Sequence, residues 1–439
     1  MSTPLPRRRF LQRTALAAGA WIAAPHFRRV AGSPNGKLNV GFVGVANRAA
    51  ANLEEVSRLT ESVHVAALCD VDDALLGPVR QKFPSAKAYR DFRELIAQPD
   101  LDAVVVATPD HIHAVAAAGA LRAGRHVYCE KPLTRTVSEC RVVRELAAKH
   151  KRITQLGTQI HAGRNYRRVV ELIQTNAIGP VREVHVWASA VYGGMERPQD
   201  TPPVPAGLDW DLWLGPVEFR PYHPDYAPFK WRNWWAFGGG TIADFGCHFM
   251  DLPHWALSLR YPTAVEPVDG PPVHPESTPP WAIVRYHHPA RKSARDGASL
   301  PPVVLTWYHG GKQPAALTDE QREYFKSGVL FVGERGQLLA DYTRNQLLPE
   351  KEFAGFKAPT PYLPDSIGHH KEWIEAIKTG GTTTCNFDYS GALTEAALLG
   401  NVAYRTGRRL EWDTVKLRAT NCAAADRFIQ HHYRPGWKL

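Results

Sequence analysis

The chain has 439 residues, 44% of them hydrophobic and 22% charged, which is too long for one ordinary domain and too apolar for a disordered chain, so two domains with sizeable cores are expected. The formal net charge is +10, but Arg7, Arg8, Arg9, Arg13, Arg28 and Arg29 stand in the first 30 residues without an acid. The excess left elsewhere is modest and no basic recognition helix accompanies it, which excludes a nucleic-acid-binding role.

The opening runs from a basic "PRRRFLQR" through a short apolar "TALAAGAWIAAP" into polar text with Gly and Pro, the order of an export signal. The apolar run is shorter than the ~20 residues a membrane-spanning helix needs. Arg7-Arg8-x-Phe10-Leu11 resembles a twin-arginine signal, the route for proteins exported already folded. A basic, structureless tail is the plainer alternative. The expectation is a signal and linker over residues 1–33 and a periplasmic protein that is not integral to the membrane.

Next, "KLNVGFVGVANRAAANLEEVSRL" reads as strand, tight turn and helix, followed by the short buried strands "VHVAALCDVD", "DAVVVATPD" and "HVYCEKP" between helical segments. This alternation predicts a doubly wound parallel sheet over residues 37–155. The first turn puts Gly44, Ala46 and Ala49 where a dinucleotide fingerprint wants G-x-G-x-x-G/A, with Asn47 and Arg48 completing the candidate phosphate loop. Ala46 departs from the pattern at the point where the backbone must approach the pyrophosphate. Asp70 closes the second strand, where a carboxylate can accept hydrogen bonds from a ribose and repel a 2′-phosphate, favouring NAD over NADP. Alternatively, Asp70 caps the helix starting in "VDDALL".

Thr108, Pro109 and His113 of "TPDHIHA" are expected at the nicotinamide side of the same cleft. His111 and His113 form an H-x-H pair without a convincing third ligand, so no metal is expected. "GRHVYCEKPL" places Glu130, Lys131 and Pro132 at the carboxyl edge of the sheet, where open α/β folds bind ligands. A lysine aimed into such a cleft suits acid–base work; a surface lysine at a strand end is the bland reading.

From "GPVREVHVWASAVY" onward the strands lengthen and alternate, predicting a second, α+β domain over residues 156–439 with an antiparallel or mixed sheet, one face exposed. "ERPQDTPPVPAG" and "EPVDGPPVHPESTPP" read as Pro-rich loops on it. Trp210, Trp213, Trp231, Trp234 and Trp235 could offer flat surfaces to a sugar or simply pack. In "GGGTIADFGCHFMDLPHW" a continuous helix would put Asp244, His248, Asp251 and Trp255 on one stripe. A histidine near a carboxylate is suited to proton transfer. Gly246 costs such a helix ~1 kcal/mol relative to alanine, which implies a close approach by a ligand or another backbone. The helices "HHKEWIEAIKTG" and "YSGALTEAALLGNVAYRTG" each end at glycine. The six cysteines show no C-x-x-C pair and no zinc-like spacing, so they read as small buried residues.

The motifs "GVANRA", "TPDHIHA", "EKPL", "GGGTIADFGCHFMD" and "GNVAYRTG" resemble those of the Gfo/Idh/MocA oxidoreductases, over essentially the whole exported chain. The resemblance implies an N-terminal Rossmann domain and a C-terminal domain whose open, largely antiparallel sheet forms an oligomer contact. It also implies that Lys131, Asp244 and His248 line the substrate end of the cofactor cleft. Within the family the chain looks most similar to the exported bacterial branch, whose relatives include sugar and cyclitol dehydrogenases and NAD-dependent N-acetylgalactosaminidases.

The expected activity is hydride transfer from a secondary alcohol of a sugar, cyclitol or glycoside to a tightly held NAD. In it His248 takes the hydroxyl proton, Asp244 orients that imidazole or binds a neighbouring hydroxyl, and Lys131 polarises the oxygen. Two alternatives stand beside it: glycoside cleavage by transient oxidation, and a sugar-binding protein without catalysis.

Overall fold

The computed structural model describes residues 36–439; the export-signal reading of residues 1–33 lies outside them. The first sheet has six parallel strands: β1 (Leu38–Val43), β2 (Val63–Cys69), β3 (Lys87–Tyr89), β4 (Ala103–Val106), β5 (His126–Cys129) and β6 (Thr154–Leu156). They are ordered β3-β2-β1-β4-β5-β6. Strands β1, β4 and β5 are buried along their whole length, as parallel strands covered on both faces should be. The order reverses between β1 and β4, which opens a crevice at their carboxyl ends.

Helix α1 (Arg48–Ser57) follows β1, α2 (Asp110–Arg122) follows β4, and α3 (Val137–His150) follows β5. Thr136 and Glu139 close a reciprocal capping box at the start of α3, which fixes where the chain turns after Lys131.

The second sheet has nine strands. It comprises β7 (Val181–Ala188), β8 (Ala264–Asp269), β9 (Ala282–His288), β12 (Val303–His309), β13 (Gly328–Gly333), β14 (Gly336–Ala340), β15 (Asn345–Leu348), β16 (Leu410–Asp413) and β17 (Arg418–Ala419), with β10 (Arg291–Lys292) and β11 (Ser299–Leu300) forming a separate hairpin. Its order is β15-β14-β13-β7-β12-β9-β8-β16-β17, antiparallel except that β7 and β12 run parallel. Val184, Val284, Tyr286, Leu305 and Trp307 point into the main core. Arg285, His287, His185 and Tyr308 alternate onto the half-exposed opposite face. Strand β8 takes in Glu266–Asp269, so the second Pro-rich stretch is paired at its beginning; Pro267 sits beside a register shift, where a missing N–H is tolerated.

The last helices join the two sheets. In α4 (His369–Thr379), Trp373, Ile374 and Ile377 complete the apolar core beneath β1 and β5. Helix α5 (Phe387–Thr406) packs on α3, and Glu395, fully buried, accepts two 2.9 Å bonds from Arg141. Both helices end at a left-handed glycine, Gly380 and Gly407. All six cysteines are buried and unpaired. Of the two readings of the tryptophans, packing holds for Trp210, Trp213, Trp231 and Trp234, which share one core: Trp210 stacks on Trp213 at 4.6 Å and both pack with Leu214, Tyr226 and Phe237. Trp231 also borders a pocket, and Trp235 packs separately with Ala282 and Tyr404. None of the described helices is long and apolar enough to cross a membrane.

Candidate active site

Gly44, Ala46, Asn47, Arg48, Asp70, Thr108 and Pro109 line one cleft of about 300 Å³ at the carboxyl ends of β1, β2 and β4. Gly44 has φ +89°, and a Cβ there would come within 2.4 Å of the Ala107 carbonyl oxygen, so the turn demands glycine. Asn47, at φ 54°, precedes α1 without making a side-chain cap, which leaves first-turn amides other than that of Ala49, bonded to the Ala46 carbonyl at 3.0 Å, available to an anion.

The Asp70 carboxylate accepts from the Val45 and Asp72 amides, each at 3.2 Å. Burial pushes its pKa up to about 6, with these amides pulling the other way. Asp72, not Asp70, caps the following helix. The nearby Arg90 is bound by Asp73. A turn that a side chain would close, an open helix terminus and a carboxylate at the strand end together fit a dinucleotide.

A second pocket of about 180 Å³ shares Arg48, Thr108, Trp231 and Arg232 with this cleft and adds Asp110, Glu130, Lys131, Gln159 and His248. Lys131 Nζ donates to Asp244 Oδ1, and both side chains are nearly buried. Arg232 Nε lies 3.1 Å from the same oxygen. Burial alone would raise the Asp244 pKa, but Lys131 and Arg232 outweigh it and hold the carboxyl well below its usual range.

His248 is pushed down to about 3, by burial first and then by the charge of Lys131, so its imidazole is neutral near pH 7. Among the described residues its Nδ1 is buried without a partner. Asp244 is therefore spent on Lys131 and Arg232, which corrects the expected pairing of Asp244 with His248.

Asp251 leaves the stripe. Pro253 cannot donate to the Phe249 carbonyl and crowds it, and the helix breaks at Met250 into Gly240–Phe249 (α6) and Asp251–Ala256. Asp251 is fully buried, 2.9 Å from His161 Nδ1 and accepting from the Tyr389 hydroxyl at 2.7 Å. Trp255 stacks on His161. Neither belongs to the pocket. Gly246 faces a neighbouring helix, not a ligand: a Cβ there would lie 3.3 Å from Ala397 Cβ.

His113 is also corrected. It is buried behind the cleft, its two ring nitrogens 2.7 Å and 2.8 Å from the Pro132 and Thr108 carbonyl oxygens, so it ties the two cleft loops together. His111 bonds the Trp213 carbonyl. Glu130 accepts from Asn52 and Gln159 at 2.8 Å and from Arg48 at 3.2 Å; it braces the floor between cleft and pocket.

Sequence reasoning missed Arg232 and Asp110. Burial pushes Asp110 up to about 7, with Arg232 opposing and Asp244 adding to the shift. Its place directly after the β4 edge was a usable signal; Arg232 sits among tryptophans and had none.

Residues 38–158 match the NAD-binding Rossmann fold, and residues 184–297 the C-terminal alpha/beta domain, of the GFO_IDH_MocA oxidoreductase family. Inositol 2-dehydrogenase of Salmonella typhimurium is 31% identical over 150 residues, 34% of this chain and 45% of that protein. Alpha-N-acetylgalactosaminidase of Shewanella oneidensis is 30% identical over 151 residues, 32% of this chain and 33% of that protein. The chain thus spans less than half the length of these curated relatives.

Among solved structures, WlbA dehydrogenase from Bordetella pertussis in complex with NADH and UDP-GlcNAcA superposes with a TM-score of 0.60 at 18% identity, over 86% of this chain and 99% of that one. Aldose-aldose oxidoreductase from Caulobacter crescentus gives 0.54 at 17%, over 86% and 100%. At such identities these likenesses speak for the fold. Because the Rossmann and C-terminal family regions both match, in order and together over more than half of its length, the chain belongs to the Gfo/Idh/MocA oxidoreductase family.

Proposed function

We propose that the protein oxidises a secondary alcohol carbon of a sugar, cyclitol or glycoside, using a tightly held NAD. The observation that carries this reading is the pocket of Lys131, His248 and Asp110, which shares a wall with the nucleotide cleft. When bound, the nicotinamide supplies the hydride acceptor.

The chain's own residues then handle protons and position. His248, neutral near pH 7, takes the proton of the reacting hydroxyl on a ring nitrogen. Lys131, fixed by Asp244, donates a hydrogen bond to the same oxygen as negative charge develops there. Arg232 and Asp110 bond neighbouring hydroxyls. The small volume of about 180 Å³ suits one ring. Asp70 favours NAD over NADP, because its carboxylate opposes a 2′-phosphate and Arg90 is already bound by Asp73.

The test is identification of the co-purifying nucleotide by mass spectrometry, followed by a screen of sugars and cyclitols on that holo-protein. A protein that neither carries nor binds a nicotinamide nucleotide would end the proposal.

The galactosaminidase relative supports a second reading on the same residues, in which transient oxidation acidifies a neighbouring C–H, loss of that proton expels the leaving group, water adds across the resulting double bond and the hydride returns. Aryl glycosides separate the two: phenol released without net NADH favours cleavage.

The Arg7-Arg8 opening supports export with the cofactor already bound, which cell fractionation and nucleotide analysis of the periplasmic protein would test. The half-exposed sheet face around Arg285 and His287 supports self-association, readable by light scattering.

A further inference from the structure

A cavity of about 300 Å³ lies behind the wall that carries Lys131 and α6, and shares no lining residue with the nucleotide cleft or the substrate pocket. Four arginines from separate segments line it: Arg135, Arg220, Arg405 and Arg427. Glu276 is the one carboxylate lining it; its Oε1 is held by Arg197 at 3.1 Å, and its Oε2 is buried without a partner among the described residues. Among the described residues none of the four arginines pairs with a carboxylate. The 35 residues outside them contain no acid that could do so.

Three of the four guanidinium groups are held by the surrounding side chains and backbone, and Arg427 is exposed at the rim. Arg135 Nη1 donates to the Trp235 carbonyl at 2.8 Å, yet among the described residues its Nε and Nη2 are buried without a partner, as is Arg220 Nη1. Arg405 lies 4.7 Å from the Trp235 ring and 4.0 Å from Phe428. Arg220 sits 5.3 Å from Tyr226 and 5.1 Å from Phe237. Aromatic faces orient a guanidinium and compensate part of its lost hydration, but they leave its N–H donors and charge unanswered. Burial, with Arg135 and Arg427 beside it, pushes the Arg405 pKa down to about 9, the direction expected where positive charge is crowded without a counter-ion.

We propose that this cavity binds a phosphate or sulfate group, either as the free ion or as the ester of a small sugar. Several guanidinium forks converging from different elements match an anion with oxygens in several directions better than a single carboxylate. The cavity exceeds the volume of the bare ion, so a sugar ring attached to it has space beside Trp235. Occupancy would also reach the catalytic wall, since Gly238 and Gly239 line the cavity immediately before α6 and Asn401 holds the Gly239 carbonyl at 2.7 Å.

The test uses full-length protein with saturating NAD, so that phosphate cannot register by filling the nucleotide cleft. Thermal midpoints are read against sodium phosphate, sodium sulfate, glucose 6-phosphate and glucose 6-sulfate, with sodium chloride at matched ionic strength as control. A saturable rise of a few degrees with the oxyanions and none with chloride is expected. An ester saturating about tenfold below the free ion identifies an ester ligand, and equal saturation identifies the ion.

Arg135→Gln and Arg405→Gln should each weaken the oxyanion response about tenfold or more, a loss of one charge-assisted contact, while leaving the anion-free midpoint unchanged or higher. No saturable response beyond chloride would overturn the proposal, as would a response undiminished in both variants. Should the variants not fold, calorimetry on the unsubstituted holo-protein decides: one competitive site per chain for phosphate and sulfate supports the proposal, and no measurable heat of binding refutes it.

Discussion

Lys131 and His248 line one pocket, with Asp244 behind it holding Lys131, because two local motifs meet there, Lys131 after β5 and the other two on α6. Lys131→Met should lower kcat by about 10²–10⁴-fold, the range of a lost acid–base or polarising group, while nucleotide content by mass spectrometry stays near one per chain. His248→Asn should lower kcat comparably without changing nucleotide content. Turnover unaltered by either change would remove that residue from the mechanism.

Asp70 carries a pH signature whose sign follows from its raised pKa of about 6 against an ordinary value of 3.8. Folding disfavours its charged form, so its ionisation weakens the fold above about 6, and that penalty is relieved as pH falls through 6 towards 4. The negative charge that, on the proposed role of Asp70, opposes a 2′-phosphate disappears over the same interval. Preference for NAD over NADP, measured as a ratio of Kd values by fluorescence titration, should therefore shrink between pH 7.5 and 5. Asp70→Ser should show a small, pH-independent ratio.

At the scale of elements, the glycine turn is the sharpest constraint. Gly44→Ala must hold a side chain at positive φ with its Cβ 2.4 Å from a carbonyl oxygen, so it should cost about 1–3 kcal/mol, read as a lower urea midpoint with weakened NAD binding. Helix α6 shows where local reasoning stops. The i, i+4 spacing placed Asp244 and His248 correctly on one side, whereas extending the stripe to Asp251 assumed a straight helix that Pro253 does not allow. Gly246 was legible as a close approach, but its neighbour proved to be Ala397 of α5.

Across the whole molecule, α3 and α5 bind the Rossmann sheet to the second sheet, and the buried Arg141–Glu395 pair is the ionic element of that contact among the described residues. Arg141→Met leaves a carboxylate buried without its partner, which should cost about 3–5 kcal/mol. The thermal midpoint should fall by several degrees with kcat little changed, since neither side chain lines the pocket. A midpoint within a degree of the unsubstituted protein would show that Glu395 finds other solvation.

The sequence by itself determined the alternating parallel sheet, the glycine turn with Asp70, and the presence of Lys131, Asp244 and His248. Turn chemistry, periodicity and short motifs act over a few residues and are written in neighbouring letters. Only the tertiary structure decided that Asp244 answers Lys131 and Arg232 and not His248, that His113 braces loops and does not face the cofactor, and that Asp251 turns inward to His161 and Tyr389. It alone also gathered four unpaired arginines around one cavity. Those outcomes depend on which charges remain when water is excluded between segments 100 or more positions apart in some cases, and the balance of desolvation against partnership is set by packing that neighbouring letters do not record.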